Sequence, residues 1–377
     1  MTAPVRQTAL AWLRDDALPL WHRLGWDAKS GGFVERLTAD GLPDLEAPRR
    51  VRVQMRQIYV YASAAHERLY GPAEKLALDT LDFLLTRCRP KGATAGFAHL
   101  TDSRGQVTDA KIDAYDQAFA LLALAAVYRM NGDAQVRALI DAELAFIDAQ
   151  IAETATGLWL EGVPTSLPRR QNPQMHAFEA FLALYEATDD ADYLKRADVI
   201  AEHLEHRMIS PGGAICEFFD AGFAPLADGQ CAEPGHHFEW VWLLHRHARL
   251  ARRSPPALAN MLMDWGLKHG IGADGFAIDA CEIDGAVKDG GRRLWPQTEL
   301  IKAHLARSEA GIEGAGDVAD AALQALMTAY FSERTHGGWV DRYDALGALS
   351  DARMPVSTFY HVYVAICEAA RVGGLNR

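Results

Sequence analysis

Two histidine–glutamate pairs have residue types and a spacing that suit proton transfer. His176 precedes Glu179 by three positions, and His236 precedes Glu239 by the same offset. Residues at i and i+3 share one face of a helix, so each carboxylate could orient or charge its histidine. Histidine suits general acid–base catalysis at neutral pH because its unperturbed pKa is about 6.5. The competing interpretation of each pair is a buried structural histidine that a carboxylate satisfies.

Other polar residues, which we expect to bind substrate or assist catalysis, recur at intervals along the chain. They are Arg52, Arg56, Tyr115, Asp116, Asn172, Trp295, Glu299, Tyr360 and His361. Each lies near the start of a predicted buried helix. Asn172 is a favourable N-cap residue and Pro173 suits the first helical position, which predicts that His176 lies in the first turn.

A glycine–aromatic signature recurs six times and indicates which elements position these side chains. It begins at Gly32, Gly96, Gly157, Gly213, Gly275 and Gly338. Such self-similarity at a nearly fixed period is typical of repeat architectures. Each signature is typical of a short strand or tight hairpin, and the intervals between them have room for two helices.

Apolar spacing predicts twelve helices, two in each period. They cover residues 5–24, 50–70, 73–90, 112–131, 133–152, 172–189, 191–208, 232–252, 256–270, 294–310, 315–333 and 355–372. The even-numbered helices are apolar nearly all round and should be buried, whereas the odd-numbered helices are amphipathic. This pattern predicts an all-α fold, an (α/α)6 barrel that forms a single catalytic domain over residues 1–377. An open solenoid of helix pairs is the alternative.

Closure into a barrel would bring the polar residues together. The inner helices of one barrel run parallel, so their N-terminal ends and the hairpins leading into them would share one mouth. The motifs would then meet in a single pocket with the glycine–aromatic loops at its rim. Because helix N-termini carry partial positive charge, that pocket would favour a substrate or intermediate bearing negative charge.

Composition argues against several functional classes. The formal net charge of −12 makes nucleic acid and anionic membrane surfaces unfavourable partners. We expect neither a secretory signal nor a membrane-spanning segment, because no apolar run of sufficient length occurs. The five cysteines lack zinc-type spacing and are typical of reduced thiols in a cytoplasmic protein. The oligomeric state is left open between a monomer and a homodimer.

We expect no cofactor and no metal. The sequence has no His-Glu-x-x-His motif, no paired-cysteine motif, no phosphate-binding Gly-x-x-x-x-Gly-Lys loop and no dinucleotide-binding fingerprint. His-x-x-Glu pairs do bind iron or manganese in helical bundles, but such sites need several facing carboxylates. Arg292 and Arg293 could hold a phosphate, although a solvated loop edge is the more common role of such a pair.

These motifs resemble those of the N-acylglucosamine 2-epimerase superfamily. The resemblance is carried by residues 54–57, 114–119, 172–180, 235–240, 294–299 and 359–363, and it extends along the whole chain in order. Members of the superfamily are (α/α)6 barrels that act on sugars. The resemblance therefore implies a sugar isomerase or epimerase with a small-molecule sugar as its substrate.

The resemblance also implies roles for single residues. His236 and His361 occupy the acid/base positions, and His176 matches a ring-opening or substrate-orienting histidine. Arg56 matches an arginine that binds sugar hydroxyls and stabilises the intermediate, and Glu239 matches the glutamate paired with the histidine of the eighth helix.

The expected reaction interconverts an aldose and a ketose, D-mannose and D-fructose, through a cis-enediolate. His361 would remove the C2 proton, Arg56 would stabilise the negative oxygen, and His236 would move a proton between O1 and O2. Protonation at C2 from the opposite face would instead make the enzyme a 2-epimerase. The family's glucosamine and cellobiose epimerases usually carry two adjacent tryptophans where this chain has Leu294-Trp295, which favours a small monosaccharide. A glycoside hydrolase and a non-catalytic sugar-binding protein are more distant alternatives.

Overall fold

The computed structural model describes residues 4–331 and 335–375. Within them, twelve helical elements occur in the predicted order. They are α1, composed of Pro4–Trp12, Leu13–Ala17, Leu18–Leu20 and Trp21–Gly25; α2, Val51–His66; α3, Ala73–Arg87; α4, Ala114–Asn131; α5, Ala134–Gln150; α6, Gln171–Thr188; α7, Ala191–His203 with Leu204–Met208; α8, Pro234–Leu250; α9, Ala257–His269; α10, Leu294–Glu309; α11, Ala315–Tyr330; and α12, Val356–Thr358 with Phe359–Val372.

The predicted helix boundaries agree closely with these elements. The largest difference is at the end of α2, which stops at His66 rather than at residue 70. The predicted end of the eleventh helix, residue 333, lies outside the described residues. Local apolar periodicity was therefore sufficient to locate the helices.

Short strands of two or three residues lie between the helices. They are β1, Arg36–Leu37; β2, Arg49–Arg50; β3, Leu100–Thr101; β4, Val107–Asp109; β5, Ile112–Asp113; β6, Gly162–Val163; β7, Arg169–Arg170; β8, Phe218–Phe219; β9, Ala280–Cys281; β10, Val287–Asp289; β11, Arg292–Arg293; β12, Arg342–Tyr343; β13, Leu349–Asp351; and β14, Met354–Pro355. β2, β3 and β4 form one antiparallel sheet, and β11, β12 and β13 form another.

The chain divides into two compact units. The 21–202 unit comprises Trp21–Glu202 and Pro355–Tyr360, and the 203–354 unit comprises Met1–Leu20, His203–Met354 and His361–Arg377. Each unit is described by itself below. The single catalytic domain inferred from the even spread of repeats stays a prediction.

Inner and outer helices differ in burial as the sequence predicts. In the 21–202 unit, α4 packs against both α2 and α6, and its residues 118–127 are all buried. The outer helix α7 buries one face, which carries Tyr193, Ala197 and Ile200. In the 203–354 unit, α8 packs against α10, with α9 packed on α8 and α11 packed on α10. No helix within the described residues is long and apolar enough to cross a membrane.

A glutamine on the inner helix fastens the preceding hairpin in four of the repeats. The Oε1 atom of Gln54 accepts a hydrogen bond from the Phe33 backbone N–H at 2.6 Å, and its Nε2 donates to the Phe33 carbonyl at 2.8 Å. The same two-bond glutamine clamp joins Gln117 to Phe97, Gln174 to Trp159, and Gln297 to Ala277. It satisfies buried backbone groups and fixes each loop on the start of its helix.

The fourth repeat uses a histidine in place of this glutamine. The Nε2 atom of His237 accepts from the Ile215 N–H at 3.0 Å, so Nδ1 carries the proton and donates to the Glu233 carbonyl at 3.0 Å. Burial lowers the pKa of His237 to about 3. His237 is therefore a neutral structural residue, unlike its neighbour His236.

Candidate active site

Each of the three predicted catalytic histidines is buried and bound at Nδ1 to a carboxylate. The pairs are His176 with Glu179 Oε2 at 3.0 Å, His236 with Glu217 Oε1 at 2.8 Å, and His361 with Glu299 Oε1 at 2.9 Å. A carboxylate at Nδ1 fixes the tautomer that carries its proton there. Nε2 is then the nitrogen through which each ring can exchange a proton with a ligand.

The Nδ1 partner of His236 is Glu217, whereas the sequence analysis names only Glu239 as the carboxylate of this histidine. Glu217 is the acidic residue of the fourth glycine–aromatic signature, and His237 fastens that hairpin to the start of α8. Glu239 lies deeper in the same helix, and its carboxylate contributes negative charge at His236. Sequence reasoning missed Glu217, although its position in the signature was visible.

His236 has a strongly anionic environment. Burial disfavours its charged form, but the carboxylates of Glu217, Glu233 and Glu239 outweigh burial and raise the pKa of His236 to about 9. The ring is therefore an imidazolium at neutral pH, and it can act as a general acid.

His361 has a different carboxylate environment. Glu299 binds His361 Nδ1 through Oε1, and its Oε2 lies 2.6 Å from the Lys302 ammonium. Its part in substrate binding stays a prediction. Ligand atoms of Glu239, Glu299 and His361 all lie within 4.8 Å of one another. The negative charge beside His361 is thus offset by a buried cation.

Trp295 brings these two histidines into one site within the 203–354 unit. Its ring centroid lies 5.2 Å from that of His236 and 5.7 Å from that of His361. A Cβ atom at Gly235 would lie 2.5 Å from the Trp295 ring. The absence of a side chain at position 235 therefore lets the tryptophan pack on the first turn of α8. Its role in substrate binding stays a prediction.

In the 21–202 unit, aromatic rings and hydrogen bonds hold Arg56 in place. Its Nη2 donates to the Tyr115 hydroxyl at 2.6 Å and its Nη1 donates to the Ser357 carbonyl at 3.1 Å. The guanidinium lies 4.4 Å from the ring centroid of Phe119 and 5.4 Å from that of Tyr360. Arg56 and Tyr115 are thus brought together as predicted, near the N-terminal ends of α2 and α4.

His176 lies beside the same aromatic residues. Its ring centroid is 4.9 Å from that of Tyr115 and 4.6 Å from that of Phe119. Its partner Glu179 also accepts a hydrogen bond from the Tyr360 hydroxyl. Starts of inner helices therefore meet within the 21–202 unit, and α8, α10 and α12 meet in the same way within the 203–354 unit.

Asn172 does not cap α6, contrary to the prediction. The helix begins one residue earlier, at Gln171, and its N-cap residue is Arg170. Glu161, the acid of the third signature, accepts the Arg170 backbone N–H at 2.7 Å. Asn172 is half-buried in the first turn, and its part in substrate binding stays a prediction.

Other charged residues near the helix starts are already paired. Asp116 accepts from Arg52 Nη1 at 3.0 Å and pairs with His99 Nδ1 at 2.7 Å. The hydrogen bond to Asp116 raises the pKa of His99. Arg292 pairs with Asp274, which gives this arginine an ion-pair role.

Two groups in the 203–354 unit have the ligand atoms that a metal ion would need. One is Glu217, Glu233 and His236, and the other is Glu239, Glu299 and His361. In the first group Glu233 pairs with Arg293 Nη2 at 2.9 Å, and in the second Glu299 pairs with Lys302. A side-chain cation already balances part of the charge in each group.

Comparison with known proteins identifies the family of this chain. The family model described as N-acylglucosamine 2-epimerase (GlcNAc 2-epimerase) matches residues 31–365. A Rhizobium meliloti protein named mannose-6-phosphate isomerase is 37% identical over 376 residues, covering 95% of this chain and 94% of that protein. A D-mannose isomerase of Thermobifida fusca is 33% identical over 321 residues, covering 78% and 77%. A crystal structure of D-mannose isomerase superposes with a TM-score of 0.88 at 22% identity, covering 98% and 99%.

These comparisons confirm three predictions, which concern the fold class, the enzyme class and the family. The superposition confirms the (α/α)6-barrel fold class. The family match and the relatives confirm the enzyme class, which is a carbohydrate isomerase or epimerase. The chain belongs to the N-acylglucosamine 2-epimerase family.

Proposed function

We propose that the chain is an aldose–ketose isomerase that interconverts D-mannose and D-fructose. The observation that carries the proposal is that His236 and His361 both lie beside Trp295, and that a carboxylate binds Nδ1 of each histidine. Isomerisation moves one proton between two carbons and another between two oxygens. Two buried imidazoles in different charge environments suit this pair of transfers.

The proposed reaction begins with the open-chain aldose. His361, as the neutral base, takes the C2 proton while the His236 imidazolium gives a proton to O1, which produces the enediol. The neutral His236 then removes the proton from the O2 hydroxyl, and the protonated His361 delivers its proton to C1. The ketose forms, and both histidines return to their starting protonation states.

The choice of mannose has two supports. The relatives at 37% and 33% identity are named mannose-6-phosphate isomerase and D-mannose isomerase, whereas a relative named cellobiose 2-epimerase is 24% identical. The cations described around the two histidines, Arg293 and Lys302, are paired with Glu233 and Glu299. This pairing favours a neutral sugar over its phosphate ester. The oxygen-stabilising role of Arg56 stays a prediction from the family resemblance.

Proton NMR of the protein with D-mannose in D2O tests the proposal. We expect fructose to appear with deuterium at C1. Glucose as the first product would make the enzyme a 2-epimerase. Conversion of mannose 6-phosphate with no turnover of mannose would show that the substrate is the phosphate ester. Absence of turnover with both sugars would overturn the proposal.

A further inference from the structure

A buried lysine lies one helical turn beyond the carboxylate that holds His361. The side chain of Lys302 has no solvent exposure, and its Nζ lies 2.6 Å from Glu299 Oε2. On another side, Nζ lies 3.8 Å from the centroid of the Trp242 ring. A buried ammonium is costly unless it is paired, and here it contacts both a carboxylate and an aromatic face.

The aromatic side of this contact is itself anchored. The indole Nε1 of Trp242 donates to Glu368 Oε2 at 3.2 Å, and Arg371 donates to both oxygens of Glu368. Burial disfavours the charged form of Glu368, but Arg371 outweighs it and lowers the pKa of Glu368 to about 2. The Trp242 ring therefore has a fixed, ionised hydrogen-bond partner, and it limits how Lys302 can move.

We propose that Lys302 is a positioning residue for His361. It holds Glu299 ionised and turned toward Nδ1, and it offsets the carboxylate charge so that the imidazole stays neutral. The proposal rests on the proposed function in one respect, since a neutral His361 is the form that can take a proton from C2. Its electrostatic part concerns the imidazole alone and needs no substrate.

The charged groups described around His361 support this role. Glu299 on α10 contacts its Nδ1, and Glu239 on α8 places a carboxylate oxygen within 4.8 Å of a ring nitrogen. Lys302 is a cation that contacts Glu299. The imidazolium of His236 approaches the same Trp295 ring. Without Lys302, two carboxylates would favour a protonated ring.

The variant Lys302→Met tests the proposal because it removes the ammonium and keeps an unbranched side chain. Loss of a positive charge favours proton uptake, so the His361–Glu299 pair should bind its proton at a higher pH, by about one pKa unit. The acidic limb of kcat/KM with mannose should move upward by the same amount. Long-range 1H–15N NMR of the histidine rings measures the titration directly, with His361 assigned from a His361→Asn spectrum.

Lys195→Met is the matched control. Lys195 and Asp192 have the same i, i+3 spacing and the same 2.6 Å contact, but both are solvent-exposed. This variant should change neither the titration nor the kcat/KM limb. The contrast separates a buried ion pair from the general loss of one lysine charge.

A second variant covers failure of Lys302→Met to fold. Lys302→Met combined with Glu299→Gln removes both charges and leaves no unpaired buried ion. In this double variant the upward shift should be absent, because the carboxylate that produces it is gone. An upward shift in the double variant would overturn the proposal.

The two readouts separate the two proposals. An unchanged His361 titration in Lys302→Met, with kcat lower at every pH, would show a merely structural lysine and overturn the positioning role. If the wild type converts no sugar, the proposed function fails, while the NMR titration still decides the role of Lys302.

Discussion

In the first, third and fifth repeats the acid of the glycine–aromatic signature binds an arginine, whereas in the fourth repeat it binds a histidine. The arginine pairs are Glu35 with Arg50, Glu161 with Arg170, and Asp279 with Arg293. In each pair the acid accepts from both the backbone N–H and the side chain of the N-cap residue. These acids start a helix.

The fourth repeat has the same acid but no arginine at the equivalent place. The N-cap residue of α8 is Glu233, and the signature acid Glu217 pairs with His236 instead. The signature acid therefore binds the N-cap arginine in three repeats. In the fourth repeat the N-cap residue is Glu233, and the acid binds a histidine. The departure from the repeat marks the proposed acid of the reaction.

The largest effect is expected from removing the proposed acid or the proposed base. His236→Ala and His361→Ala should each lower kcat by about 10²- to 10⁴-fold with the fold intact. Steady-state kinetics with mannose and circular dichroism measure the two properties. Near-normal turnover in either variant would rule out the role of that histidine.

The next effect should come from the carboxylate that distinguishes the fourth repeat. Activity should fall as pH rises through about 9, where His236 loses its proton. Glu217→Gln removes a negative charge and should lower the pKa of His236 by about one to two units, so the fall begins at lower pH. At a pH between the His236 pKa of the variant and that of the wild type, kcat of the variant should be about tenfold lower than that of the wild type. A pH–rate profile that superposes on the wild type would contradict the role of Glu217.

The same substitution in the third repeat should act on stability. Glu161→Gln weakens the bonds to Arg170 and should lower the free energy of unfolding by about 1–3 kcal/mol, measured by urea denaturation. Its pH–rate profile should keep the wild-type shape. A shifted pH–rate profile would contradict the difference between the repeats, because it would show that an arginine-bound acid also affects catalysis.

The smallest effect is expected at His237, next to the proposed acid. His237→Gln introduces the residue that clamps four other hairpins. The free energy of unfolding should therefore change by about 1 kcal/mol or less, and kcat should stay unchanged. We expect this change to lower stability, because the His237 ring stacks on Trp265 with 4.3 Å between the ring centroids and glutamine would lose that stack. A loss of kcat as large as that of His236→Ala would overturn the structural assignment of His237.

Prediction from the sequence succeeded where partners are close along one helix. The His176–Glu179 pair follows from the i, i+3 geometry and is present. The carboxylates of the other two histidines are 19 and 62 positions away, so no helical periodicity could pair them. Asn172 was assigned wrongly as the N-cap residue, because α6 begins at Gln171 and its N-cap residue is Arg170, whose N–H binds Glu161.

By itself, the sequence determined the positions of the helices, which of them are buried, and which histidines lie near their N-terminal ends, although His176 is the sixth residue of α6 and not in its first turn. These properties depend on residues a few positions apart, and the apolar pattern records them. Only the tertiary structure decided that Glu217 binds His236 and that Glu299 binds His361. Pairing between distant carboxylates and histidines depends on how hairpins and helices pack, because charge acts through space and not along the chain.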